Sequence, residues 1–233
     1  MKPLLILGIF IMIMVFAQFA QAQTADDIIE KHIAAMGGKD KLAAVNSLRM
    51  EGGMNVQGTD VGIVITKVHN VGARTDISVM GTENYRIVTP TGGTVFMPVF
   101  GQSAPNDMPA DQLKAELPFL DLHGIFVDYK QKGTTVELAG KEKIEGVECY
   151  KLKTTFKGGS AIDFFIDAST YRILKTSAPM TVNGETVDNF SLYSNYKQTP
   201  DGLWFAYTVS NSRGQTDFDK IQTNIKVDEN IFK

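Results

Sequence analysis

Few residues of this chain could do chemistry. It carries three histidines, His32, His69 and His123, and one cysteine, Cys149. A neutral imidazole is both a base near neutral pH and a good metal ligand. The three imidazoles are far apart in sequence, and none stands at the spacing of a recognisable zinc site. His32 falls within a helical apolar stripe and is expected as a packed histidine at the edge of a core. Asp163 and Asp167 share one face of a predicted strand, because side chains alternate along a pleated backbone. Paired carboxylates can bind calcium or move protons; beside Lys151 and Lys153 they read as a solvated outer face. Cys149 permits no internal disulfide. Free cysteine is usually a buried small apolar residue, although alternation with Lys151 and Lys153 puts this one on the less buried face. No H-E-x-x-H, G-x-S-x-G or phosphate-binding glycine loop occurs, and no nucleophile has a visible base. The expectation is therefore a protein that is not an enzyme, with no catalytic residue, no metal and no cofactor.

Composition narrows the partners. The formal net charge is -3, so no basic field exists to recruit nucleic acid. Lys2, the apolar run Pro3 to Phe19 and the motif Ala20-Gln21-Ala22 form a secretory signal peptide, residues 1–22. The motif and the polar Gln23-Thr24 favour cleavage over a membrane anchor, and no cysteine follows to take a lipid. The expected product is a soluble periplasmic protein without stable membrane insertion. The remainder, 23–233, is short enough for one β domain, and it contains no repeat or linker.

The elements that must position any site are mostly strands. Thr24, Asp26 and Asp27 start a helix whose stripe is Ile28, Ile29, His32, Ile33 and Met36. Gly37-Gly38 ends it, and Lys39 to Val45 makes a second short piece. Strands are expected over 47–57, 61–70, 73–80, 84–90 and 94–100. The segment 101–129 interrupts them, with a helix from Asp107-Met108-Pro109 that Pro118 stops. Phe119 to Val127 is too apolar for a solvated loop; it is either a helix packed on the sheet or a plug over a cavity. A meander follows over 134–140, 147–156, 161–167 and 171–177, with corners at Gly140, Gly146 and Gly158-Gly159. Three more strands, 185–198, 203–211 and 215–227, close the chain around the turn Thr199-Pro200-Asp201-Gly202.

About 11–12 antiparallel strands exceed what a flat open sheet tolerates. A strongly curved sheet or unclosed barrel wrapped on helices satisfies the pattern, in a mainly β (α+β) fold. Its inner face would be apolar. The candidate ligand-binding residues of that face and its lid are Met50, Met54, Phe96, Leu117, Phe119, Leu120, Ile125, Phe126, Tyr150, Leu152, Phe164, Phe205 and Tyr207.

The order of helix ending in MGGKDKL, strand run, helical interruption, YKLK, FFIDASTYRILK, DGLWF and VDENIF resembles the LolA/LolB-like superfamily of periplasmic lipoprotein carriers. It is most similar to the outer-membrane lipoprotein-sorting-like proteins of Gram-negative bacteria. The resemblance implies an unclosed antiparallel barrel with a helical lid and an apolar cavity for acyl chains. Lys67 to Arg74 lacks the Arg-Pro pair of the well-studied carriers, so no residue role carries over from that segment. The leading expectation is a carrier or binding protein for a lipid or an acylated lipoprotein, with an envelope protein as a further partner. The alternative is a structural or partner-binding module whose inner face is packed solid. A membrane barrel fits the strand number but not the charged outward positions Arg49, Glu51, Lys151 and Lys153.

Overall fold

The computed structural model describes residues 23–182 and 185–233. The predicted signal peptide lies outside the described residues. Helix α1, Ala25–Ala35, starts as expected. Thr24 Oγ1 accepts from the Asp27 N–H at 3.2 Å, and Asp27 Oδ2 accepts from the Thr24 N–H at 2.9 Å. This reciprocal box satisfies two orphan donors at once. Ile28, Ile29 and His32 are its buried face. Gly37, at φ 124°, turns the chain so close to the Gly202 carbonyl that a Cβ would lie 2.7 Å from it. The Met36 carbonyl then accepts from the Trp204 N–H at 3.0 Å. A short helix α2, Lys39–Ala43, follows.

One antiparallel sheet of thirteen strands makes up the rest. The first half winds outward: β1 Ser47–Val56, β2 Thr59–Val68, β3 Gly72–Val79, β4 Thr82–Thr89, β5 Gly92–Phe96 and β6 Asn106–Asp107. Helix α3, Ala110–Glu116, and a 3-10 turn, Leu117–Leu120, then carry the chain across. The second half winds back from the other edge: β7 Thr135–Ile144, β8 Val147–Thr155, β9 Ala161–Asp167, β10 Ile173–Val182, β11 Glu185–Gln198, β12 Trp204–Asn211 and β13 Gly214–Thr223. The spatial order is β6-β5-β4-β3-β2-β1-β13-β12-β11-β10-β9-β8-β7. Strands β6 and β7 do not pair, so the strongly curved sheet stays open.

The expected curved open sheet gains one strand beyond the twelve, the two-residue β6, too short to show alternation. Two expectations need correction. Gly140 is not a corner: it takes φ 108° in a bulge between Leu138 and Lys141, and β7 continues to Ile144. Phe119 to Val127 is not a helix packed on the sheet. Beyond Leu120 it runs in turns, because Gly124 takes φ 95° and Asp121 Oδ1 accepts from the His123 N–H at 3.0 Å. It still buries Leu120, Phe126 and Val127, so it covers the sheet as its composition requires.

The main core joins Ile28 and Ile29 of α1 and Phe126 to Tyr150, Leu152, Phe164 and Ile166 of β8 and β9. A second cluster, Leu48, Phe218 and Ile221, lies at the β1–β13 seam. A third packs Leu113 of α3, with Leu117 and Leu120, on Val88 and Met108. On the opposite face Cys149 is fully buried under Ile144 and Phe165. Alternation placed it on the outer side correctly, and a local apolar cover there excludes water from it.

Candidate functional site

Between the inner face of the sheet and the 117–127 cover lies an apolar cavity of about 320 Å³. Helix α1 contributes His32, Ile33 and Met36 to its wall. The sheet contributes Met50, Lys67, Phe164, Tyr193, Phe205 and Val209, and the cover contributes Phe119, Leu122 and Phe126. Trp204, the chain's one tryptophan, also lines it, with the Arg172 guanidinium 3.8 Å above its ring. The cover is fastened on two sides. The Asn70 N–H donates to the Leu120 carbonyl at 2.9 Å, and the Leu122 N–H donates to His69 Nδ1 at 3.1 Å. On the other side Tyr129 Oη donates to Asp26 of α1 at 2.5 Å.

Burial marks two of the polar groups that line this cavity, His32 and Lys67. His32 Nδ1 donates to the Tyr171 carbonyl at 2.8 Å, and its ring meets Phe126 edge-on at 5.4 Å. Burial holds its pKa down to about 4, the carbonyl opposing only in part. The imidazole is therefore neutral at pH 7. Lys67 stands on the inner face opposite Leu48 of β1. It is half-buried and lines the cavity wall. Among the described residues its ammonium reaches only the Phe119 carbonyl, at 3.4 Å. Desolvation lowers its pKa.

Beside the cavity a groove of about 420 Å³ is lined by Lys114, Lys132 and Lys157 and by His69, Asp121 and His123. The last three offer ligand-type atoms within 4.8 Å of one another. Sequence spacing gave no sign of this cluster; the β2–β3 turn and the cover bring it together. The two imidazoles stack at 3.8 Å with their planes 10° apart. Imidazole lone pairs lie in the ring plane, so parallel stacked rings do not converge on one ion. His69 Nδ1 already accepts a hydrogen bond, and Lys132 pairs with Asp121. The cluster acts as a clasp between turn and cover. Asp163 and Asp167 have separate partners: Asp163 pairs with Lys151 at 3.0 Å, and Asp167 closes the turn by accepting from Ser169 and Thr170.

The fold is similar to that of a solved structure of a LolA superfamily protein from Nitrosomonas europaea. The two share 15% identity over 91% of this chain and 98% of that one, at a TM-score of 0.57. The chain has a LolA-like fold. Two more distant structures cover similar shares of this chain. A DUF1329 family protein from Desulfovibrio piger aligns over 91% of it at 11% identity and a TM-score of 0.48, matching 98% of its own length. A Vibrio parahaemolyticus domain described as an outer membrane lipoprotein-sorting protein aligns over 88% at 16% identity and 0.43, matching 94% of its own length. No family of sequences and no curated protein matches the chain.

Within this LolA-like sheet the expected site residues separate. Met50, Phe119, Ile125, Phe126, Phe164 and Phe205 line the cavity. Leu117 lines the neighbouring groove, and Leu120 a smaller chamber beyond Phe119. Tyr150 and Leu152 belong instead to the packed core under α1, Leu152 with 0% exposure. Tyr207 packs on the Leu48–Phe218–Ile221 cluster. Phe96 stands against Tyr85 at a ring distance of 5.5 Å, and Met54 lies over Gly214. Alternation assigns a face but not a height along it, and the cavity occupies only the part of the face that α1 and the cover leave free. Lys67 was missed, although a lysine in register with Ile63 and Ile65 on the inward side was a readable signal.

Proposed function

We propose that the protein is a non-enzymatic binding or carrier protein for an apolar ligand, the acyl chain of a lipid or of a lipoprotein, working in the bacterial envelope. The observation that carries this reading is the cavity: the cover does not fill the space beneath it. A solid core would have closed over Met50, Phe164 and Phe205; here they wall about 320 Å³. That volume lies at the low end of the ~300–1,000 Å³ typical of ligand cavities, which suits one chain rather than several. An acyl chain of about 16 carbons gains about 0.8 kcal/mol per methylene removed from water, so it crosses an aqueous compartment only when sheltered. The LolA-like fold supports the same use, with outer-membrane lipoprotein sorting as its specific form and another envelope protein as the acceptor.

The test uses the mature protein purified without detergent. Native mass spectra should contain co-purifying acyl species, and titration with hexadecanol should change Trp204 emission. Val209→Phe, which fills the cavity from β12, should lower hexadecanol affinity by roughly tenfold or more while the circular dichroism stays native. A clean apo mass together with an unresponsive Trp204 would overturn the proposal.

A further inference from the structure

The cavity has a charged annex. Beyond Phe119 a chamber of about 150 Å³ is lined by Lys67, Thr75, Arg86 and Glu116, and Lys67 and Phe119 line both spaces. Two cations meet one carboxylate there. Arg86 Nη2 donates to Glu116 Oε1 at 2.5 Å, so Glu116 is already engaged. Lys67 has no carboxylate within ion-pair distance among the described residues, and its single hydrogen bond is the long one to the Phe119 carbonyl. Arg86 Nε is buried without a hydrogen-bond partner among the described residues. A buried donor left unpaired is costly, and a buried charge left unpaired more so. Native proteins keep such groups where something else completes them.

We infer that the ligand is an amphiphile with an anionic head, a carboxylate or a phosphate monoester, whose head pairs with Lys67 Nζ and Arg86 Nε in the chamber while its chain lies in the apolar cavity. The inference rests on the apolar-ligand reading and adds the chemistry of the ligand's polar end. One negative charge balances the excess positive charge, and its oxygens accept from both orphan donors. Charge-assisted bonds of this kind are about twice as strong as neutral ones. The lowered pKa of Lys67 has the same origin, since burial disfavours an ammonium that only the already paired Glu116 helps from a distance. The groove lysines are poorer candidates for this role. Lys132 is taken up by Asp121, and Lys114 and Lys157 are exposed to solvent, where pairing adds little.

The experiment compares palmitate, hexadecyl phosphate and hexadecanol by Trp204 emission at pH 7.5. One or both anions should bind roughly tenfold or more tightly than the alcohol, and the stronger of the two identifies the head. Lys67→Met should erase that preference, and Lys67→Arg should keep it. Equal affinities for all three ligands, or a preference that survives Lys67→Met, would overturn the inference with the cavity reading intact. Binding of none of the three would instead overturn the cavity reading. A measurement on the unaltered protein guards against a variant that fails to fold. With carboxyl-13C palmitate, the bound carboxyl should stay ionised at least about 1 pH unit below the free acid, the equivalent of a tenfold preference for the anion. Where palmitate is the stronger ligand, an unshifted titration of its bound carboxyl would also overturn the inference; where hexadecyl phosphate is the stronger, an unshifted second ionisation of its bound phosphate, followed by 31P resonance, would do so.

Discussion

Lowering the pH should destabilise this protein through His32. Burial takes the folded-state pKa from the ordinary 6.5 down to about 4. The unfolded chain therefore binds a proton that the folded protein refuses whenever the pH lies between those values. Stability rises with pH wherever the unfolded state binds more protons. The His32 contribution is thus complete above about pH 6.5 and is lost as the pH falls toward 4. A gap of about 2.5 pH units, at about 1.4 kcal/mol each, sets a total of about 3.5 kcal/mol, with about 2.5 kcal/mol already lost at pH 4.5. Set against an ordinary stability of about 5–15 kcal/mol, that is a large share. The assay is urea unfolding at several pH values between 7 and 4.5 for the wild type and for His32→Gln. Glutamine keeps a donor for the Tyr171 carbonyl but does not titrate. Asp26, Asp27 and Asp167, whose pKa values are all lowered by hydrogen bonds to the carboxylate, lose their contributions at the acid end in both proteins. The wild type should lose about 2.5 kcal/mol more than the variant by pH 4.5. Parallel losses would refute the assignment of this acid sensitivity to a buried neutral imidazole.

Two further outcomes follow from burial elsewhere. Cys149 has 0% exposure, and burial pushes its pKa up to about 11. It should not react with a thiol-specific disulfide reagent at pH 8 until urea unfolds the chain, since the thiolate is the reactive form; rapid labelling of the folded protein would contradict the packing of β8. At Gly72 an added Cβ would lie 2.7 Å from the ring of Phe232, which is buried in the C-terminal 3-10 turn Glu229–Phe232, so Gly72→Ala should unseat that turn and cost about 1–3 kcal/mol. In that background Phe232→Ala should cost much less than in the wild type, because both changes break one contact. Additive losses measured by thermal melting would show that Phe232 is held by something else.

Local chemistry made much of the fold readable. The Thr24 box, the Glu145-Gly146 turn and the Thr199-Pro200-Asp201-Gly202 turn each depend on a few adjacent residues. In the last of these the Gly202 N–H donates to the Thr199 carbonyl at 2.8 Å. Strand faces were readable because Tyr150 and Leu152, or Phe164 and Ile166, alternate with charged neighbours. The cover was readable as buried but not as turns, since its path depends on positive φ at Gly124 and Asp128, and an aspartate carries no clear mark of that conformation. The site was readable by face alone. Whether an inward residue meets α1, the cover or open space depends on contacts between distant elements. This is why Leu152 is sealed while Phe205, also on the inner face, borders the cavity, and why His69 and His123 meet unannounced.

The pairing of β1 with β13 has a consequence for how the sheet is made. Met50 lies opposite Ile221, and Leu48 opposite Thr223, so the first strand to be synthesised is completed by the last. Each half of the sheet can zip up hairpin by hairpin, since its neighbours in space are its neighbours in sequence. The central ladder cannot form until nearly the whole polypeptide is available, and closing so long a loop is slow. Until then β1 and β12 present two unsatisfied borders in the middle of the molecule rather than at its rims. Such borders are the places where nascent chains stick to one another. A copy truncated before Gly214 would keep them permanently, and it would be a substrate for chaperones and proteases rather than a smaller version of the same protein.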